Sequence, residues 1–173
     1  LALSVIADAM PPLPKGEARA GRHPNLKNRK LSVISLFMDD GSMTLWVALV
    51  VLVAFSAFFS ASETAFSSLN QIRLKSRAED GDTSAARVLA MAEKYDKLLS
   101  TILIGNNIVN IAAASIGTII FTKMLGAERG ATVSTMVLTV VVLIFGEVTP
   151  KSLAKEMPET VATAVAPVLS LLM

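Results

Sequence analysis

Apolar and polar positions in this chain fall into long blocks, without the short periods of a soluble fold. Gly41 to Ser62, Leu98 to Thr122 and Gly130 to Gly146 each contain no charged residue. A bilayer core about 30 Å thick needs roughly 20 residues of helix. The first two blocks meet that length, and the third does if its helix continues through Glu147, Val148, Thr149 and Pro150. The pattern therefore predicts an all-α membrane protein with three spans at about 43–66, 98–122 and 130–150. A fourth apolar stretch, Val161 to Met173, is shorter, and Pro158 and Pro167 suit a bent or interfacial helix as well as a span.

Between the first two blocks the residues turn polar. Asp80-Gly81-Asp82-Thr83 supplies a turn and an N-cap before an Ala-rich helix from about Ser84, with Val88, Ala92 and Tyr95 on one face. Six Lys and Arg occur in this loop against five acids, and Lys151 and Lys155 follow the third block, whereas the turn after the second block carries only Lys123 and Arg129. Counting basic residues alone places this loop and the C-terminus in the cytoplasm and the N-terminus outside. Residues 1–41 hold Pro11, Pro12 and Pro14 and then six basic residues from Lys15 to Lys30, and read as a basic, disordered tail. The order of that basic run and "LSVISLFM" mimics a signal peptide, but the apolar part is short and ends in Asp39-Asp40.

Composition sharpens this picture. The chain has 173 residues, 53% of them hydrophobic and only 5% aromatic, with a mean hydropathy of +0.58. Its net charge of +2 decides little. There is no cysteine and one histidine, His23, so thiolate metal sites are excluded, a zinc enzyme is not expected, and any metal site must use oxygen or His23. The Leu at position 1 and the apolar run at the end suggest a piece of a longer protein.

Several polar groups do not belong in lipid. Asn106 and Asn110 are four apart and share one helix face, while Asn107 is turned about 100° away. Ser56, Ser60 and Thr64 form a similar stripe in the first block, with Ser62 and Glu63 beside it. Glu147 places a carboxylate at membrane depth, where an acid costs about 2.5–3.5 kcal/mol on insertion scales. Pro150 cannot donate a hydrogen bond, which leaves a carbonyl near Gly146 free if the helix runs on. The set offers hydroxyl, amide, carboxylate and backbone oxygens, the chemistry that Mg²⁺ demands. The plainer readings are that Asn and Ser bridge helices, at roughly 0.6–2 kcal/mol each, and that Glu63 is a solvated or capping residue. Ala113 with Gly117, and Ala57 with Ala61, are small pairs for helix packing or dimer contacts. No convincing nucleophile and base pair and no phosphate-binding glycine loop are present, so an enzyme is not expected.

In order and spacing, "FSASETAFSSLNQIRLKS", "LLSTILIGNNIVNI" and "FGEVTPKSLA" resemble the transmembrane domain of the CNNM/CorC family of magnesium transporters, over about Ser42 to Met173. The resemblance implies three transmembrane helices with short cytoplasmic juxtamembrane helices, a homodimer in the lipid of the plasma (inner) membrane, and paired cytosolic CBS domains that these residues do not include. It implies Mg²⁺ export coupled to Na⁺ entry through a dehydrated Mg²⁺ site. Matched residue by residue, the metal ligands are Ser60, Asn106, Asn110 and Glu147 with the backbone at Gly146, and Pro150 distorts the third helix. Ser62, Glu63 and Asn107 fall at positions for sodium or for support of the site. No nucleic acid partner is expected. The alternative is a Mg²⁺-sensing membrane scaffold that regulates another transporter.

Overall fold

The computed structural model describes residues 40–173. The basic tail, His23 included, lies outside the described residues. Those described form seven α-helices and one π-helical segment: α1 (Asp40–Ser67), α2 (Gln71–Glu79), α3 (Thr83–Ala92), α4 (Tyr95–Leu125), α5 (Ala127–Val141), the π segment (Val142–Val148), α6 (Thr149–Glu156) and α7 (Pro158–Leu172). Three continuous helices, Gly41–Ser67, Tyr95–Leu125 and Ala127–Glu156, are long and apolar enough to cross a membrane. The third does run through "EVTP", as its length required. All three extend beyond the spans expected from hydropathy, because a helix ends where its backbone is capped or broken, and polar residues such as Asp96 and Lys97 continue the hydrogen-bond ladder as well as apolar ones do. The described part of α7 covers 15 residues, against the roughly 20 that a span needs.

Local chemistry sets the breaks. Asn70 caps α2, its side chain accepting from the Arg73 N–H at 3.1 Å. Asp82, with its Oδ1 accepting from the N–H groups of Ser84 and Ala85 at 2.9 and 3.0 Å, starts α3. Val88 and Ala92 are buried as the periodicity predicted, whereas Tyr95 begins α4 and is exposed. Gly126, at φ 84°, breaks α4 from α5 in a conformation that costs other residues steric strain. Just beyond it, a Cβ at Gly130 would overlap the Thr122 backbone and lie 2.7 Å from the Phe121 carbonyl oxygen. The absence of a side chain there lets α5 fold tightly back on α4. Likewise Ala113 and Gly117 are buried within the chain, Gly117 against Leu138 of α5.

Two apolar clusters hold the helices. One gathers Phe59, Phe66, Leu74, Val88, Leu98, Ile102, Ala154 and Leu169, uniting the end of α1 with α2, α3, the start of α4, α6 and α7. The other joins Leu49, Ala113, Ile120 and Leu138 near the α4–α5 turn, where Trp46 and Phe121 meet edge to face with ring centroids 6.4 Å apart. Much of the outer surface is apolar, with Val50, Ile104, Ile108, Ile111 and Val140 exposed, although Asn107, Thr118, Thr135 and Thr139 are exposed as well. α1 contributes to both clusters, and its residues between Leu49 and Phe59 pass through the seam.

Arg77 ties the polar end together. Its Nη1 donates to Glu159 Oε2 at 3.0 Å and its Nη2 to Asp82 Oδ2 at 2.7 Å, linking α2, the α3 cap and the first turn of α7. The Ala85 N–H, followed by the Arg77 guanidinium, holds the Asp82 carboxyl below its ordinary value. A carboxyl lowered in the folded state stabilises above its unfolded pKa, and that contribution is lost as pH falls through the folded value. Asp82→Ala is expected to speed amide exchange of Ser84 and Ala85 by roughly fivefold, as loss of an N-cap does. Acidification of the wild type well below pH 4 should reproduce the effect. Gly130→Ala is expected to destabilise the domain by about 1–3 kcal/mol through overpacking, read as a lower Tm in detergent.

Candidate functional site

Ser56 is buried on α1, one helical turn before Ser60. Opposite it, the four-residue spacing on α4 brings Asn106 and Asn110 to one face, both half-buried. The Ser56 hydroxyl lies 2.8 Å from Asn110 Oδ1 and 3.2 Å from Asn106 Oδ1. One hydroxyl carries one hydrogen and cannot give both carbonyls a full bond. Three oxygens therefore converge with a single proton among them.

The third spanning helix completes the wall. A Cβ at Gly146 would sit 2.9 Å from Ser56 Oγ, so this glycine lets the backbone of that helix approach the oxygen cluster. Gly146 lies inside the π segment Val142–Val148, where the chain winds more widely than an α-helix and the Thr149 N–H reaches the Ile144 carbonyl. π turns commonly mark functional positions in helices. Pro150 removes the donor that would close on Gly146 in α register or on Phe145 in π register. Glu147 follows directly and is half-buried. Among the described residues, no group of three or more His, Cys, Asp or Glu stands ready for a metal, so any ion held here would rest on neutral oxygens and this one carboxylate.

The other residues expected from the sequence have their own surroundings. Ser60 is fully buried and its hydroxyl has no hydrogen-bond partner, but it is Ser56, not Ser60, that meets the asparagines. Ser62 is buried and donates to the Phe58 carbonyl at 2.7 Å. Glu63 pairs with Lys151 Nζ at 3.1 Å, with side chains 32% and 40% exposed. Asn107 is exposed on another face of α4. Ser56 was expected only as part of the polar stripe and not as a ligand, and Lys151 only as a basic residue after the third block. Counting residues from the ends on one side, Ser56 lies 15 from Gly41 and Asn110 lies 15 from Leu125, but Ser60 and Asn106 match equally well at 19 each. Depth alone left two rungs open, and the crossing of the helices selects one.

Three helices of bilayer length and apolar composition around a polar cluster define an integral membrane protein. The family model described as "Cyclin M transmembrane N-terminal domain" matches residues 47–173. The chain belongs to this family, CNNM. It is 49% identical over 107 residues to the UPF0053 inner membrane protein YfjD of Escherichia coli (strain K12), covering 62% of this chain and 25% of that protein. It is 39% identical over 118 residues to a chloroplastic DUF21 domain-containing protein of Arabidopsis thaliana, covering 68% and 18%. A third relative is the Polyamine export protein of Escherichia coli (strain K12), 30% identical over 128 residues, with coverage of 67% and 29%. The chain thus spans less than a third of the length of each.

Gly146→Ala places a methyl against Ser56 and is expected to push it off the asparagines. The protein should fold and reach the membrane, with a stability loss of about 1–3 kcal/mol. Gly41→Ala, where nothing lies within 4 Å of the added Cβ, is the neutral control, and thermal melts in detergent compare the two.

Proposed function

We propose that this domain carries divalent cations, foremost Mg²⁺, across the membrane, and that the ion is exported in exchange for inward Na⁺. The observation that carries this reading is the convergence of Ser56, Asn106 and Asn110 beside the Gly146 backbone. Oxygens bound to Mg²⁺ at 2.0–2.1 Å in an octahedron lie about 2.9 Å apart at adjacent vertices, close to the 2.8 and 3.2 Å spacings seen here. A cation replaces the hydroxyl hydrogen as the group shared by the amide oxygens. Ser60 supplies a buried hydroxyl in want of a partner, Glu147 the compensating charge, and the backbone around Gly146 and Pro150 a carbonyl. With a single carboxylate, binding stays weak enough for release.

Outward movement of two charges against an inside-negative potential costs about 4.6 kcal/mol per 100 mV, which calls for a coupled gradient such as sodium. Glu63, Ser62 and Asn107 lie near enough in sequence to the site to serve a coupling ion, with Lys151 as the competing partner of Glu63. The arrangement in the membrane follows the basic residues: the α2–α3 end inside, the α4–α5 turn outside, with a second copy of the domain as partner and CBS domains in the cytosol. A second reading rests on the relative named for polyamine export. An amine cation would compete for the same oxygens, although the small centre and its lone carboxylate suit a compact ion better than an extended one.

Calorimetry should show Mg²⁺ binding weakened at least tenfold, about 1.4 kcal/mol, in Asn106→Ala, Glu147→Ala and Ser56→Ala. Purified protein in liposomes should move Mg²⁺ in the direction opposite to sodium running down an imposed gradient. Wild-type affinity in all three variants refutes the site. Binding without flux points to a sensor, and flux of spermidine in place of Mg²⁺ to the amine reading.

A further inference from the structure

On the α4–α5 turn side of Asn110, a cleft of about 210 Å³ opens between α4 and α5. Its polar lining comes from Asn110, Thr118, Ser134, Thr135 and Thr139. Ser134 is fully buried and its hydroxyl has no hydrogen-bond partner, a state that costs about 1–3 kcal/mol unless something binds it. Thr118 and Thr135 donate their hydroxyl hydrogens to the carbonyls of Ala114 and Ala131 at 2.8 and 3.0 Å. Their oxygen lone pairs remain, and lone pairs attract cations. No acid or base lines the cleft, so a fully dehydrated divalent ion would lack compensation there, while a partly hydrated one keeps its waters and takes a few protein oxygens. Asn110 faces both this cleft and Ser56.

We propose that this cleft, its hydroxyls set among Ala114, Leu138 and Val142, is a second cation station, holding a partly hydrated ion in series with the Ser56–Asn106–Asn110 centre and sharing Asn110 with it. The inference rests on the transport reading above and extends it to the half of the membrane that the first site leaves undescribed. The ion passes from amide and carboxylate oxygens to water and hydroxyls, which rehydrates it stepwise.

The 173 residues contain no cysteine, so Thr139→Cys in the otherwise unaltered protein introduces a single thiol into them. A trimethylammonium methanethiosulfonate applied from the α4–α5 side is expected to modify it at least tenfold faster than the sulfonate analogue. Millimolar Mg²⁺ should slow that reaction at least threefold. Val140→Cys, next along the helix and exposed on the apolar surface, should stay unmodified by both. Ser134→Ala, which removes the unpartnered hydroxyl, should keep calorimetric Mg²⁺ affinity at the first site within about twofold while liposome flux falls at least fivefold. A thiol at Thr139 that no charged reagent reaches, or that both reagents modify equally and without regard to Mg²⁺, overturns the proposal and leaves the cleft to lipid or bulk water. Unchanged flux in Ser134→Ala also overturns it. Loss of the first site's binding is judged separately, by Asn106→Ala and Glu147→Ala.

Discussion

A serine hydroxyl has one hydrogen, and Ser56 stands between two amide oxygens. In water the shortfall would be met at once by solvent; within a bilayer it must be met by the protein or by a bound ion. Much of the architecture can be understood from this constraint. α1 passes through both apolar clusters so that its polar rung is held in the seam between them, and α4 runs antiparallel to it with two asparagines level with that rung. The third helix approaches only because Gly146 has no side chain. Ser56 itself is buried while both asparagines are half-buried, so the hydroxyl competes for partners away from bulk solvent, where hydrogen bonds count for more.

The end of the domain built from α2, α3 and α7 follows different physics. Here the chain is polar enough to use caps and ion pairs, and Arg77 serves two carboxylates from different elements. Exposed pairs of this kind contribute little each, yet the apolar cluster beneath them, with Leu74, Val88 and Leu169 fully buried, holds the short helices against the ends of α1 and α6. The Glu63–Lys151 pair marks the border between the two regimes: half-exposed, and one turn from groups that face no water at all.

The hydrophobic blocks made the three spans legible, and the turn chemistry of Asp82 made the start of α3 legible to within a residue. Asn106 and Asn110 were legible as a pair because four-residue spacing is unambiguous on a helix. The choice between Ser56 and Ser60 was not, since both sit on one stripe and both match an asparagine in depth. It is decided by the crossing of α1 over α4, a tertiary quantity that no single segment encodes. Lys151 was hidden for a similar reason, because its partner lies on another helix. Tyr95 shows the opposite error, where a true periodicity was carried across a break between two helices. The π winding at Val142–Val148 had a correct clue in Pro150, which removes a donor, but the number of residues that widen was not written in it.

That widened winding has a mechanical corollary. A π turn holds surplus chain compared with the α-helices on either side, and each residue of an α-helix advances about 100° around its axis. Tightening the segment by one residue would therefore twist Thr149–Glu156 by roughly a quarter turn relative to the helix before it. Lys151 would swing away from Glu63, and the Gly146 backbone would turn relative to Ser56. Such a tightening would act on the ion pair and on the oxygen cluster together, because both are anchored on the same stretch of the third helix.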